Sequence, residues 1–171
     1  ESESMRVRNA VNSVIFSSLK SQPASHQKFI LFDPEGRSQG FAPYLEFMRS
    51  NPAIMYNKVF TTQQQIREQV EGLSAFIDEF RQTKLADCTD IFAYNRVSVE
   101  RPESLKCLCL LNFPKGFDEQ MLEQLANIVK NGSSCGVQTV IHFDENAIRN
   151  SSSSTYIDLL AKIRESCICL Q

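Results

Sequence analysis

One short apolar run near the middle of the chain decides the fold, Lys106-Cys107-Leu108-Cys109-Leu110-Leu111. Successive side chains of a β-strand point to opposite faces, so a run that is apolar throughout is typical of a strand covered on both faces in a parallel sheet. The run ends at the turn-forming segment Asn112-Phe113-Pro114-Lys115-Gly116. We therefore expect a central strand with helices packed on both sides of it.

Other short apolar runs have the length and composition of further strands. They lie at residues 28–33, 58–61, 137–143 and 167–170. Apolar residues at helical spacing predict helices at residues 7–19, 44–49, 63–83, 118–130 and 155–164. This alternation favours a three-layer α/β domain with a mostly parallel sheet flanked by helices.

The length and charge of the chain limit its function classes. Its 171 residues fit a single domain, residues 1–171. The formal net charge of −2 gives no overall attraction to nucleic acid or to an acidic membrane, so any DNA contact must be local. The sequence contains neither a signal peptide nor an apolar run of about 18 residues. We expect a cytoplasmic domain without direct membrane contact. A membrane anchor elsewhere in a longer parent protein is compatible with this expectation.

The six cysteines are interpreted as reduced structural residues. Cys107 and Cys109 alternate within one apolar run, as do Cys167 and Cys169, which is how small apolar residues occur in buried strands. Two thiols at this spacing point to one face of a strand, whereas a zinc site needs four ligands that converge, usually from loops. We therefore expect no metal site.

Residues 9–19 precede the segment Phe32-Asp33-Pro34-Glu35-Gly36, in which a strand ends in Asp-Pro-x-Gly. The pair Tyr94-Asn95 precedes the central apolar run, and residues 132–141 form a small-residue turn into the next strand. In their order and along nearly the whole chain, these blocks resemble the motor domain of FtsK/SpoIIIE-type ATPases, with the central run at the Walker B strand and residues 132–141 at the turn into the sensor strand. The resemblance implies a RecA-like P-loop NTPase fold in a bacterial DNA translocase of cell division and chromosome partition, or in a secretion ATPase.

The chain departs from the family at the positions that handle nucleotide. A working P-loop has the form GxxxxGK[ST], in which glycine amides cradle phosphates, the lysine neutralises their charge and the hydroxyl holds magnesium. The corresponding stretch is Ser4-Met5-Arg6-Val7-Arg8, with Val7 at the lysine position and Arg8 at the hydroxyl position.

The acidic positions of the family are also replaced. The Walker B aspartate and its neighbouring glutamate fall on Asn112 and Phe113, and the sensor pair falls on Phe143 and Asp144. The vestigial nucleotide-binding residues implied by the resemblance are Ser4, Arg6, Val7, Arg8, Asn112 and Phe113. We expect no catalytic residue and no resident cofactor.

This combination resembles the degenerate last ATPase-like domain of tandem FtsK/SpoIIIE proteins, whose first-helix region is acidic, as is Glu1-Ser2-Glu3-Ser4. The resemblance implies a fragment of a longer chain, with the first sheet strand ahead of Glu1. Its partners would be neighbouring ATPase domains or subunits, with DNA reached through the parent, and its role would be assembly, regulation or partner binding. The alternative is a motor domain that still binds ATP and magnesium for DNA translocation.

A few other residues invite a functional interpretation. Arg6, Arg8, Arg96 and Arg101 are candidates for an arginine supplied to a neighbouring site. Asp33 is either a general base or, as in the resembling fold, the structural end of a strand. His26 and His142 with the serine-rich loops suggest a hydrolase triad, but a Gly-x-Ser-x-Gly turn is absent from the sequence, and His142 lies in an apolar run typical of a core histidine.

Overall fold

The computed structural model of the protein describes residues 3–21, 26–35, 39–54, 58–98, 101–149 and 153–168. In chain order the elements are α1 (Glu3–Ser21), β1 (Gln27–Phe32), α2 (Leu45–Ser50), α3 (Gln63–Thr83), α4 (Ile91–Val97), β2 (Leu105–Phe113), α5 (Glu119–Asn131), β3 (Val137–Phe143), α6 (Glu145–Arg149) and α7 (Ser154–Glu165). Short 3-10 helical segments, Gln39–Tyr44 and Ser133–Cys135, precede α2 and β3. The predicted alternation of helices and strands is confirmed for most of the chain.

The strands form one parallel sheet in the order β1-β2-β3. In β2, Leu108 lies opposite Ile30 of β1 on one side and opposite Thr139 of β3 on the other. Residues 107–111 are buried throughout. The prediction of a central strand covered on both faces is therefore confirmed.

Alternate residues of β2 face two different hydrophobic cores. Leu108 and Leu110 pack in a cluster with buried residues of α3, α5 and α7. Cys107, Cys109 and Leu111 pack in a second cluster, against buried residues of α1 and α2. We call these the α5 face and the α1 face of the sheet. The protein is thus an α/β structure with a parallel sheet flanked by helices.

Two of the predicted strands are wrong in extent or in type. Residues 58–61 make a single parallel bridge, between Phe60 and Phe32, because Thr62 already caps the next helix. Cys167 and Ile168 lie in no strand: the Cys167 amide donates to the Arg164 carbonyl at 3.1 Å, which continues the turn at the end of α7. Residues 169 and 170, the remainder of that predicted strand, lie outside the described residues.

Side-chain caps mark where the helices begin. Thr62 and Gln65 form a capping box at α3. Ser153 accepts from the Tyr156 amide at 3.3 Å at α7, and Asp90 accepts from the Ala93 amide at 2.8 Å at α4. The short helices α4 and α6 were not predicted.

The cysteines that the structure describes are free thiols, as predicted. The Sγ atoms of Cys107 and Cys109 lie 3.7 Å apart on the α1 face of β2. The expectation that both thiols of this pair point to one face is confirmed.

Asp118 makes a pH-dependent contribution to stability at the start of α5. Its carboxylate accepts from the Met121 amide at 3.0 Å and contacts the Arg67 guanidinium. The backbone hydrogen bond from Met121, with a further contribution from Arg67, lowers the pKa of Asp118 below its ordinary value. A carboxyl group with a depressed pKa stabilises the fold above its unfolded pKa, and this stabilisation is lost as the pH falls through the folded pKa.

We therefore expect Asp118→Ala to lower the free energy of unfolding at neutral pH by about 1 kcal/mol, the usual value of an N-cap. Asp118→Asn keeps a capping oxygen but cannot titrate, so its stability should fall less steeply below about pH 4 than that of the wild type. Urea unfolding across the acid range measures both effects. Parallel acid limbs for the wild type and the Asn variant would contradict the assignment.

Candidate functional site at the carboxyl edge of the sheet

Polar side chains meet where the three strands end. Asp33 follows β1, Asn112 lies near the end of β2, and Asp144 follows β3. Because the strands are parallel, these ends share one edge of the sheet, which is the edge where α/β proteins bind ligands. This edge is therefore the candidate site.

Asp33 is the buried acidic group of this edge, with 1% of its surface exposed. One carboxylate oxygen accepts from the Gly40 amide at 3.1 Å, and the other accepts from the Asn112 side-chain amide at 3.3 Å. Burying a carboxylate is costly unless it is hydrogen-bonded, so these donors explain why it is tolerated here. The contacts support the structural interpretation of Asp33 over that of a general base.

Gly40 reaches Asp33 because it has no side chain. A Cβ atom at this position would lie 2.2 Å from Leu111 Cδ1 and 3.1 Å from the carboxylate of Asp33. No pattern in the sequence links Gly40 to Asp33, because the two residues meet only when the segment Gln39–Tyr44 packs against β2.

Asn112 lies at the centre of this edge and has an unusual backbone conformation. Its φ of 55° lies in the left-handed region, which asparagine tolerates better than most residues. Its backbone amide donates to His142 Nδ1 at 3.2 Å. His142 is thus a partner of the β2 backbone.

The aromatic residues beside these groups belong to the core. Phe113 is fully buried, with ring centroids 5.0 Å from Phe117 and 5.2 Å from Phe143 in edge-to-face geometry. Its carbonyl accepts from the Asp144 amide at 2.6 Å, and Asp144 accepts from the Asn146 amide at 3.0 Å at the start of α6. Phe113 therefore packs on the α5 face, and Asp144 organises a turn.

The first turns of α1 contain the stretch predicted to be a vestigial phosphate loop. Ser4, Arg6, Val7 and Arg8 are all helical, because α1 begins at Glu3. Arg6 is exposed, while the side chains of Ser4, Val7 and Arg8 lie outside the description. Near the other end of α1, Ser18 donates to Gln27 at 2.9 Å, beside the start of β1. The helix therefore runs back along the sheet, with its amino end toward the carboxyl edge.

The remaining candidates lie at the amino edge. Arg96 in α4 and Arg101 just before β2 are exposed, on the side opposite to Asn112. Asn95, between them, donates to the Glu103 carbonyl at 2.9 Å and accepts from the Glu103 amide at 2.8 Å, so it holds the chain entering β2. His26 precedes β1, whereas His142 lies near the end of β3. The two histidines therefore do not share one site.

Among the residues that the structure describes, His, Cys, Asp and Glu side chains form no group of three or more suited to a metal ion. Within the same residues, no helix has both the length and the apolar character needed to cross a membrane. A scan against models of protein families and a search of curated proteins each found no match to the chain.

Gly40→Ala tests the close packing at this edge. The added methyl group would force Leu111 and Asp33 to move, so we expect a loss of about 1–3 kcal/mol in the free energy of unfolding. Gly72→Ala in α3 is the matched control, because its Cβ would meet nothing within 4 Å. That change should stabilise the protein by roughly 0.5–1 kcal/mol, as expected for alanine in place of glycine inside a helix. Denaturant unfolding of both variants gives the comparison, and equal effects would refute the packing argument.

Proposed function

We propose that this chain is a non-catalytic, ATPase-like domain that serves assembly, regulation or partner binding in a longer protein resembling FtsK/SpoIIIE-type DNA translocases or secretion ATPases. The observation that carries the proposal is the hydrogen bond from the Asn112 side chain to buried Asp33. Asn112 stands where the resemblance puts the metal-binding aspartate. Its side-chain amide instead donates a hydrogen bond to a carboxylate buried inside the protein.

An acidic residue at this position would conflict with the rest of the edge. The Asn112 nitrogen lies 3.3 Å from an oxygen of Asp33, so an aspartate in the same orientation would bring two carboxylates together. Like charges this close cannot both ionise without a large cost. The buried Asp33 thus favours an amide at position 112, and the edge is built for packing.

The amino end of α1 also supports a non-catalytic domain. Phosphate-binding loops use glycine amides and a lysine, while residues 4–8 are helical and contain neither. Phe113 fills the core where a water-orienting glutamate would be needed. The α1 end, Asn112 and Phe113 are independent departures, and together they argue against hydrolysis.

The fold assignment, the location and the partners of the domain are part of the proposal. A parallel sheet with helices on both faces is compatible with a RecA-like P-loop layout, and the order of the sequence blocks supports that finer assignment. The reduced thiols of Cys107 and Cys109 support a cytoplasmic location, since oxidising compartments favour disulfides. Neighbouring ATPase domains or subunits are the partners, and the parent supplies any DNA contact.

The proposal predicts that ATP with magnesium does not stabilise the domain. A ligand that binds only the folded state at 100 times its Kd raises the free energy of unfolding by about 2.7 kcal/mol. We expect no shift in Tm over an ATP titration and no magnesium-dependent turnover. A saturable rise in Tm would instead support the alternative, a motor domain that still binds nucleotide.

Asn112→Asp is predicted to destabilise the protein without creating an ATPase. The loss of the hydrogen bond and the new carboxylate beside Asp33 should cost about 1–3 kcal/mol at neutral pH. Asn112→Gly is the control, because it keeps the left-handed backbone without adding charge. Magnesium-dependent hydrolysis by the Asp variant would overturn the proposed role of this edge.

A further inference from the structure

Two lysines lie side by side where the first two strands begin. Lys28 of β1 is the register partner of Lys106 of β2. Register partners in adjacent strands point to the same face of the sheet, here the α5 face, to which Ile30 and Leu108 also belong. Adjacent strands are about 4.8 Å apart. Two ammonium groups at these positions therefore repel each other.

The amine of Lys106 has little contact with water. Its side chain is 18% exposed, and Nζ lies 3.4 Å from the centre of the Phe76 ring. Nζ also donates to the Ser104 carbonyl at 3.3 Å and lies 3.9 Å from a carboxylate oxygen of Glu103. The remaining exposure admits a small reagent, and the carboxylate of Glu103 is close enough to receive a proton.

The surroundings of Lys106 favour its neutral form. Burial lowers the pKa of Lys106 most, and the charge of Lys28 lowers it further. Glu103 and Cys135 act in the opposite direction, but the pKa stays below its ordinary value. Only a neutral amine is a nucleophile, and burial or a second cationic group is how proteins activate a lysine. Lys106 is therefore a better nucleophile at neutral pH than a lysine in water.

We propose that Lys106 is a site of covalent acylation by a small acyl phosphate, with the Lys28 ammonium holding the phosphate group. A compact donor fits the limited exposure of Lys106, and its negative charge fits Lys28. The Lys106 nitrogen forms a bond to the carbonyl carbon, and the bond from that carbon to the phosphate oxygen breaks. The phosphate leaves with the electron pair, and the proton from nitrogen passes to Glu103.

Acylation changes the charge of the amino edge. A neutral amide replaces the ammonium, so the attraction to Glu103 and the repulsion from Lys28 both disappear. Arg96 and Arg101 are exposed at this same edge. The modification therefore lowers the positive charge of the surface that carries these two arginines.

Acetyl phosphate is the probe, incubated at neutral pH with the full 171-residue chain, and peptide mass spectrometry locates the acetyl groups. We expect Lys106 to react faster than the exposed Lys84 and Lys130, although it is less accessible. Lys84 is the matched slow lysine, because its hydrogen bond with Tyr94 raises its pKa. The rate at Lys106 should saturate with acetyl phosphate, and inorganic phosphate should slow it by competition.

Substitutions of Lys28 test the phosphate contact. Lys28→Met should slow acetylation of Lys106 by about tenfold or more, as expected for the loss of a charge-assisted hydrogen bond, and Lys28→Arg should keep it. Acetic anhydride, an uncharged donor, should still label Lys106 in both variants. Lys162→Met, on the exposed side of α7, is the control and should leave the rate unchanged.

Phosphate competition on the wild type carries the same test if circular dichroism shows that Lys28→Met does not fold. A Lys106 that reacts more slowly than Lys130 would overturn the proposal, because the Phe76 ring would then hold the amine as an ammonium. Acetylation of Lys106 that responds neither to Lys28 nor to inorganic phosphate would also overturn it.

Discussion

The middle strand β2 has no face open to water, because residues 107–111 turn alternately toward two helical layers and are buried on both. A strand of this kind cannot be satisfied by a single layer of helices. It requires α1 and α2 on one side and α3, α5 and α7 on the other, and it requires a neighbouring strand along each edge. Because the strands are parallel, the segments that directly follow β1 and β2 lie at the carboxyl edge, where the polar residues meet.

The carboxyl edge of the sheet is packed as part of the core. Asp33 is buried beside Leu111, and Gly40 and Asn112 both donate hydrogen bonds to its carboxylate. The left-handed backbone of Asn112 is in turn supported by His142, whose Nδ1 accepts a hydrogen bond from the Asn112 backbone amide. Each contact limits what the next residue can be, so a change toward phosphate chemistry would need several substitutions at once. This dependence fits a domain whose role is structural.

The local sequence pattern was sufficient to predict secondary structure where burial alone determines it. The apolar run at 106–111 and the helical spacing of apolar residues in α3 and α5 are visible in the sequence itself. These three elements, β2, α3 and α5, were therefore predicted correctly. Phe60 and Cys167 were assigned to strands because their neighbours are apolar. Phe60 pairs with β1 at a single bridge only, and Cys167 lies in the turn that ends α7, and the sequence does not reveal which backbone, if any, such a segment meets. The same limit applies to the site: the links from Asn112 to Asp33 and from Asn112 to His142 join residues that are 79 and 30 positions apart in the chain.

The paired thiols of β2 report on the mobility of the sheet. The hydrogen bond with Cys107, together with burial, raises the pKa of the Cys109 thiol well above its ordinary value. Alkylating reagents attack thiolates, so Cys109 reacts only when the sheet opens and admits solvent. Cys88, which is half-exposed, reacts without such an opening. The ratio of their labelling rates therefore measures the free energy of local unfolding at the centre of the protein, without denaturant.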